Sequence, residues 1–161
     1  MTAGRHQRKP WLMLALAVGL GRGGISTPPA IAHDVEINAH TGLAISGFDP
    51  ISYFVDHKAL MGKPDWELSL NGTIWQFRNP GNQAAFAAHP QVYMPRFGGY
   101  DPVAIARGAS VPGHPLIWAI VRQRLYLFYD EAARRTFLTD PGRVILVAER
   151  KWPAVARSIG H

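Results

Sequence analysis

No cysteine occurs anywhere in the 161 residues. That excludes disulfide staples, thiolate metal ligands and thiolate nucleophiles together. Charge is sparse too, at 17% of residues. The longest apolar run, "WLMLALAVGL" at 11–20, is too short for a stable transmembrane helix. Hydrolase triad order, phosphate-binding glycine loops and zincin motifs are all missing, so nothing signals catalysis and no enzyme activity is expected. An enzyme with an unrecognised carboxylate site ranks last among the readings, because spatial pairing of acids is invisible in one sequence.

What is present begins with a three-part leader. "MTAGRHQRKP" is basic, the apolar run follows, and "PPAIA" brings small residues up to His33. This pattern predicts a signal peptide over 1–32, cut after Ala32, on an exported protein, periplasmic or secreted. No stable membrane anchor is expected after processing; an uncleaved anchor is the alternative. Cleavage would remove Arg5, Arg8, Lys9 and Arg22 and leave thirteen basic against eleven acidic residues. The whole-chain charge of +6 is therefore no sign of a nucleic-acid partner. An unknown small molecule or protein is the partner class that remains. The 129 residues left are enough for one packed fold.

Along that remainder, "GFDPISYF" reads as a turn into a brief helix through Tyr53 and Phe54, with Asp49 as cap and Pro50 at the first helical position. "DWELSLNGTIWQF" is a hairpin about Asn71-Gly72. The turn predicts Leu70 opposite Thr73, Leu68 opposite Trp75 and Trp66 opposite Phe77, on one apolar face. "NPGNQAAFAAHP" predicts a helix opened at Asn79-Pro80 and stopped by Pro90, and "QVYMPRFGG" a loop or extended segment. A second strand–turn–strand passes through Trp118, Arg122-Gln123 and Phe128, with apolar residues on both faces, as expected of a pair covered on both sides. A helix over about 130–139 ends at Pro141, and a C-terminal helical segment is interrupted or kinked by Pro153.

Several landmarks recur at a constant offset. Asp49 and Asp101 differ by 52 positions. Trp75 and Tyr126, Phe77 and Phe128, Phe86 and Phe137, and Pro90 and Pro141 each differ by 51. Such regularity indicates an internal duplication. The DP turn, the hairpin ending in an aromatic and the F-x₈-F-x₃-P spacing resemble the YHS domain, a small metal-binding module. "LAISGFDPISYF", "NQAAFAAHPQVYMPRFGGY" and "LYLFYD" resemble its secreted bacterial members. The resemblance implies an α+β fold of two fused YHS-like units, each a short helix or turn, an antiparallel hairpin and a helix, sharing one core. It divides the chain into the signal peptide (1–32), a lead-in with the first unit (33–98), and the second unit with a C-terminal helical segment (99–161).

The same resemblance marks where metal-binding members carry cysteine. Those positions hold Ser52, Arg78 and Asn82 in the first half and Ala104, Tyr129 and Ala133 in the second; Asp101 follows "GGY", where many secreted members have cysteine or selenocysteine. The implied function is a non-catalytic binding or assembly module that has lost its thiolate metal site, with no cofactor.

Two residue-level readings accompany this. Ser52, Tyr53, Arg78 and Asn82 could form a polar pocket for a carboxylate or phosphate, with Asp101 a further ligand-binding candidate. The competing and preferred reading sends Arg78 to solvent, because Phe77 beside it takes the core face. The histidines show no ligand spacing and read mainly as solvated or capping groups. As an alternative, His33 as a new N-terminus could chelate copper through its amine and imidazole, completed by His40 or His57.

Overall fold

The computed structural model describes residues 42–159. The expected leader over 1–32, its cleavage site, and the copper candidates His33 and His40 lie outside that range. Elements run α1 (Ser52–Val55), β1 (Lys63–Leu70), β2 (Thr73–Phe77), α2 (Pro80–Ala88), α3 (Pro90–Tyr93), α4 (Pro102–Arg107), β3 (His114–Val121), β4 (Arg124–Phe128), α5 (Glu131–Thr139) and α6 (Pro141–Ile159). The class is α+β: helices packed on two small antiparallel hairpins, β1-β2 and β3-β4.

Turn chemistry sets the hairpins. Asn71 and Gly72 take φ of 52° and 79°, and Arg122 and Gln123 take 50° and 56°, the left-handed pair that a two-residue hairpin turn requires. The turns pair Leu70 with Thr73 and Leu68 with Trp75, as the sequence predicts. The expected pairing of Trp66 with Phe77 does not form. Phe77 instead faces Lys63, across a bulge that spans Lys63 to Glu67. Pro64 lies within it and has no N–H to offer the ladder. Pro115 lies in the matching bulge of the second hairpin, where Phe128 faces His114.

Two buried clusters take the place of the single core expected. The first gathers Tyr53, Trp75, Phe77 and Phe86 with Leu125 and Leu127; the second gathers Phe97, Ile105, Tyr126, Phe128, Phe137 and residues of α6. Strand β4 supplies both, because successive side chains leave a strand on opposite faces. Leu125 and Leu127 point to the first cluster, Tyr126 and Phe128 to the second. The apolar alternation on this hairpin thus divides two cores.

Each hairpin carries a helix seated on aromatic rings. Phe86 of α2 lies 4.8 Å from Trp75 and 5.2 Å from Phe77, ring centre to ring centre. Phe137 of α5 lies 4.9 Å from Tyr126 and 5.0 Å from Phe128. Both phenylalanines are fully buried. Pro90 and Pro141 end one helix and open the next, since proline suits a first helical turn. The segment expected to be loop or extended therefore holds α3 and a tight turn at Arg96–Gly99. Pro153 does not interrupt α6, which runs on to Ile159. It sits on the exposed side, where the carbonyl it displaces can meet water, while Ala148, Trp152 and Val155 keep the inner face packed.

Candidate functional site

Both DP turns are held in the same way. Before each lies a left-handed turn: Ile45, Ser46 and Gly47 take φ of 42°, 55° and 80°, and Phe97, Gly98 and Gly99 take 55°, 63° and 93°. Such values are rare for a β-branched residue such as Ile45 and persist only where surrounding contacts impose them. The next residues pair with a returning segment. The Asp49 N–H donates to Leu60 O at 2.8 Å and the Asp101 N–H to Val111 O at 2.9 Å. Each aspartate is thereby turned inward, 0% exposed for Asp49 and 2% for Asp101.

The Asp49 carboxylate joins three segments. Oδ1 accepts from the Ile51 N–H at 2.8 Å. Oδ2 accepts from the Arg78 N–H at 2.9 Å, at the end of β2, and from the Asn82 side-chain amide at 2.6 Å, in the first turn of α2. The side chain therefore makes an Asx-turn and does not cap α1 directly; the helix starts after Ile51, later than the expected start at Pro50. In the second half, Asp101 does cap α4, with Pro102 at the first position. Its Oδ1 accepts from the N–H groups of Val103 at 2.7 Å and Ala104 at 3.3 Å. Its Oδ2 accepts from the Tyr129 N–H at 3.0 Å.

The structure brings Ser52, Arg78 and Asn82 together around Asp49, but their polar groups are already engaged. Ser52 Oγ lies 2.8 Å from Asp49 O and 2.9 Å from Lys58 O, and accepts from the Leu60 N–H. Arg78 contributes its backbone N–H; its half-buried side chain has no hydrogen bond or ion pair among the described residues. Tyr53 turns away and donates its hydroxyl to Pro115 O at 2.9 Å, tying α1 to β3. Burial first, and the Asp49 carboxylate second, push that hydroxyl's pKa far above the ordinary tyrosine value. Asp101 belongs to the other half. His57 is exposed, in a left-handed turn after α1. Among the described residues no three His, Asp or Glu side chains are grouped to hold a metal.

The second half has a cavity beside its buried aspartate. Ala104 stands where the first half has Ser52, and Ala133 where it has Asn82. A cavity of about 240 Å³ opens there, lined by Asp101, Ala104, Arg107, Tyr129, Ala133 and Thr136, among others. Asp101 Oδ2 has one donor where Asp49 Oδ2 has two. No Lys or Arg nitrogen lies within 4.0 Å of it among the described residues. Asp130 and Thr136 on the same wall are internally satisfied, by the Ala133 N–H and the Ala132 carbonyl respectively. A second cavity of about 280 Å³, beside Asn71, Met94 and Phe97, has no buried carboxylate in its lining.

Of this lining, only Asp101 stands among the ligand-binding candidates of the sequence; Ala104, Tyr129 and Ala133 enter there as positions of lost cysteines, and Arg107, Thr136 and the tethering role of Asp49 are not foreseen. Comparison with protein-family models, with curated proteins and with solved structures found no match to this chain.

Proposed function

We propose that this chain is an exported, non-catalytic binding module made of two YHS-like repeats, one closed by its own side chains and one open to a ligand. One observation carries the reading. A buried aspartate bonds the first residue after each hairpin, and an asparagine amide also bonds Asp49, whereas alanine stands at the matching offset beside Asp101 and a cavity opens there. Buried carboxylates hold their geometry when backbone N–H groups bond them, so the open site is preorganised before anything enters. The matched bulges, aromatic seats and left-handed turns support a duplication, since each recurs at the 51–52 residue offset.

A fragment screen by amide NMR on the ¹⁵N-labelled full chain tests this. Binding should shift the amides of Ala104, Tyr129 and Ala133 well before those of Ser52, Arg78 and Asn82. Shifts confined to the Met94–Phe97 cavity would place the site elsewhere. Mass analysis of the exported form should find His33 first, and a full-length exported chain would remove the leader from this reading.

A further inference from the structure

We infer that the cavity beside Asp101 takes a small molecule through a terminal N–H donor, a primary amide or primary ammonium, set where Asn82 places its own amide in the first half. This rests on the cavity being the binding site, and it adds the chemistry of the occupant. The template is internal to the chain: the Asn82 amide reaches Asp49 Oδ2 at 2.6 Å, beside the Arg78 N–H on the same oxygen. At the equivalent oxygen of Asp101, the Tyr129 N–H occupies one acceptor direction and Ala133 offers nothing for the other.

The rest of the lining narrows the ligand. Val103, Val111, Ala104 and Ala132 present apolar surface, which suits a short alkyl body. Asp101 and Asp130 both bring negative charge, which disfavours a carboxylate. Arg107 also lines the cavity, but its exposed side chain makes no ion pair with Asp101. A buried carboxylate without a cation gains most from a charged donor, so an ammonium should bind more tightly than an amide.

The experiment titrates the ¹⁵N-labelled full chain with propylammonium, butyramide and butyrate, three probes of similar size, and follows the Tyr129 and Ala133 amides. Propylammonium and butyramide should bind, and butyrate should bind at least about tenfold more weakly, the loss expected for one charge-assisted hydrogen bond. Ala133→Asn should abolish the response by supplying the donor internally. In folded Asn82→Ala, butyramide should also shift the Arg78 amide, because the first site has been opened. Equal binding of butyrate at Tyr129 and Ala133 overturns the N–H donor inference and leaves the site standing. Silence of those amides to all three probes, or binding unchanged in Ala133→Asn, overturns the site itself. Silence of Arg78 in folded Asn82→Ala overturns the equivalence on which the inference is built.

Discussion

Asp49 and Asp101 each reach across the fold to the first residue after a hairpin, accepting the N–H of Arg78 at 2.9 Å and of Tyr129 at 3.0 Å. The two bonds close loops of nearly equal length, and each ties a DP turn to the strand–helix junction that follows it. The aspartates that read as helix caps are thus long-range tethers as well.

Replacing Asp49 with alanine strands the Ile51 and Arg78 N–H groups and the Asn82 amide. The Ile51 N–H is buried and costs about 1–3 kcal/mol when left unsatisfied, while the part-buried Arg78 N–H and Asn82 amide can partly turn to water, so a loss of about 2–4 kcal/mol is expected. Asp101→Ala should cost less, because water can enter the adjoining cavity and meet the Tyr129 N–H. Urea unfolding of both variants checks the order. A larger loss for Asp101→Ala would mean that the second site is as closed as the first.

The two aromatic seats should be energetically matched. Phe86→Ala and Phe137→Ala each empty a fully buried site between two rings, and each should destabilise by about 3–5 kcal/mol. The two losses should agree within about 1 kcal/mol if both seats collapse alike. A mild effect at either position, read by the same unfolding assay, would show that this helix is not held by its phenylalanine.

Much of the fold was legible because turn residues punctuate it. Asn71-Gly72, Asn79-Pro80 and the second DP pair each impose the local conformation that their residues predict, while the first DP pair gives a turn and delays its helix to Ser52. The errors share a cause. Trp66 was set opposite Phe77 by counting back from the turn, but Pro64 breaks the ladder and a bulge absorbs the difference. Pro153 reads as interrupting or kinking the last segment; it does not interrupt it, because it sits on the wet side of a helix held by its other face. In "LYLF", apolar residues on both faces showed that β4 is covered twice without showing that it divides two cores. The site was harder still. Its cavity comes from two alanines, Ala104 and Ala133, which carry no chemical signal of their own, and Arg107 and Thr136 join it only because α4 packs near α5.

Alkaline pH should weaken the fold through its buried phenols. Burial is the main cause that raises Tyr53, with the Asp49 carboxylate adding to it; burial also raises Tyr126, against an opposing pull from Arg96. An unfolded tyrosine ionises near pH 10 while the folded one keeps its proton, so the unfolded state binds fewer protons above that pH. Stability is then intact below about pH 10 and falls above it, by about 1.4 kcal/mol per pH unit from Tyr53 until its folded phenol ionises, with Tyr126 adding in the same direction. Tyr53→Phe should cost about 1 kcal/mol at neutral pH, through the lost bond to Pro115 O. It should also show a shallower alkaline decline in urea midpoint. Identical declines in both proteins would mean that Tyr53 ionises without hindrance in the folded state.

The two hairpin turns offer a stabilising substitution as well. Arg122 and Gln123 hold φ of 50° and 56°, where the first hairpin uses Asn71 and Gly72 at 52° and 79°. A left-handed backbone costs an ordinary residue about 1–2 kcal/mol, and glycine pays almost none of it. Gln123 is exposed and makes no hydrogen bond or ion pair among the described residues, so its removal loses no such contact. Part of the relief is returned because glycine gains freedom in the unfolded chain. Gln123→Gly should therefore stabilise by about 0.5–1 kcal/mol, and adding Arg122→Asn should bring the total to about 1 kcal/mol. That corresponds to a rise of about 4 °C in Tm for a fold of this size. The reverse change, Gly72→Gln, should lower Tm by a similar amount. Calorimetry on the three variants decides it: a Tm that falls in Gln123→Gly would show that the second turn is held by side-chain contacts and not by its backbone class.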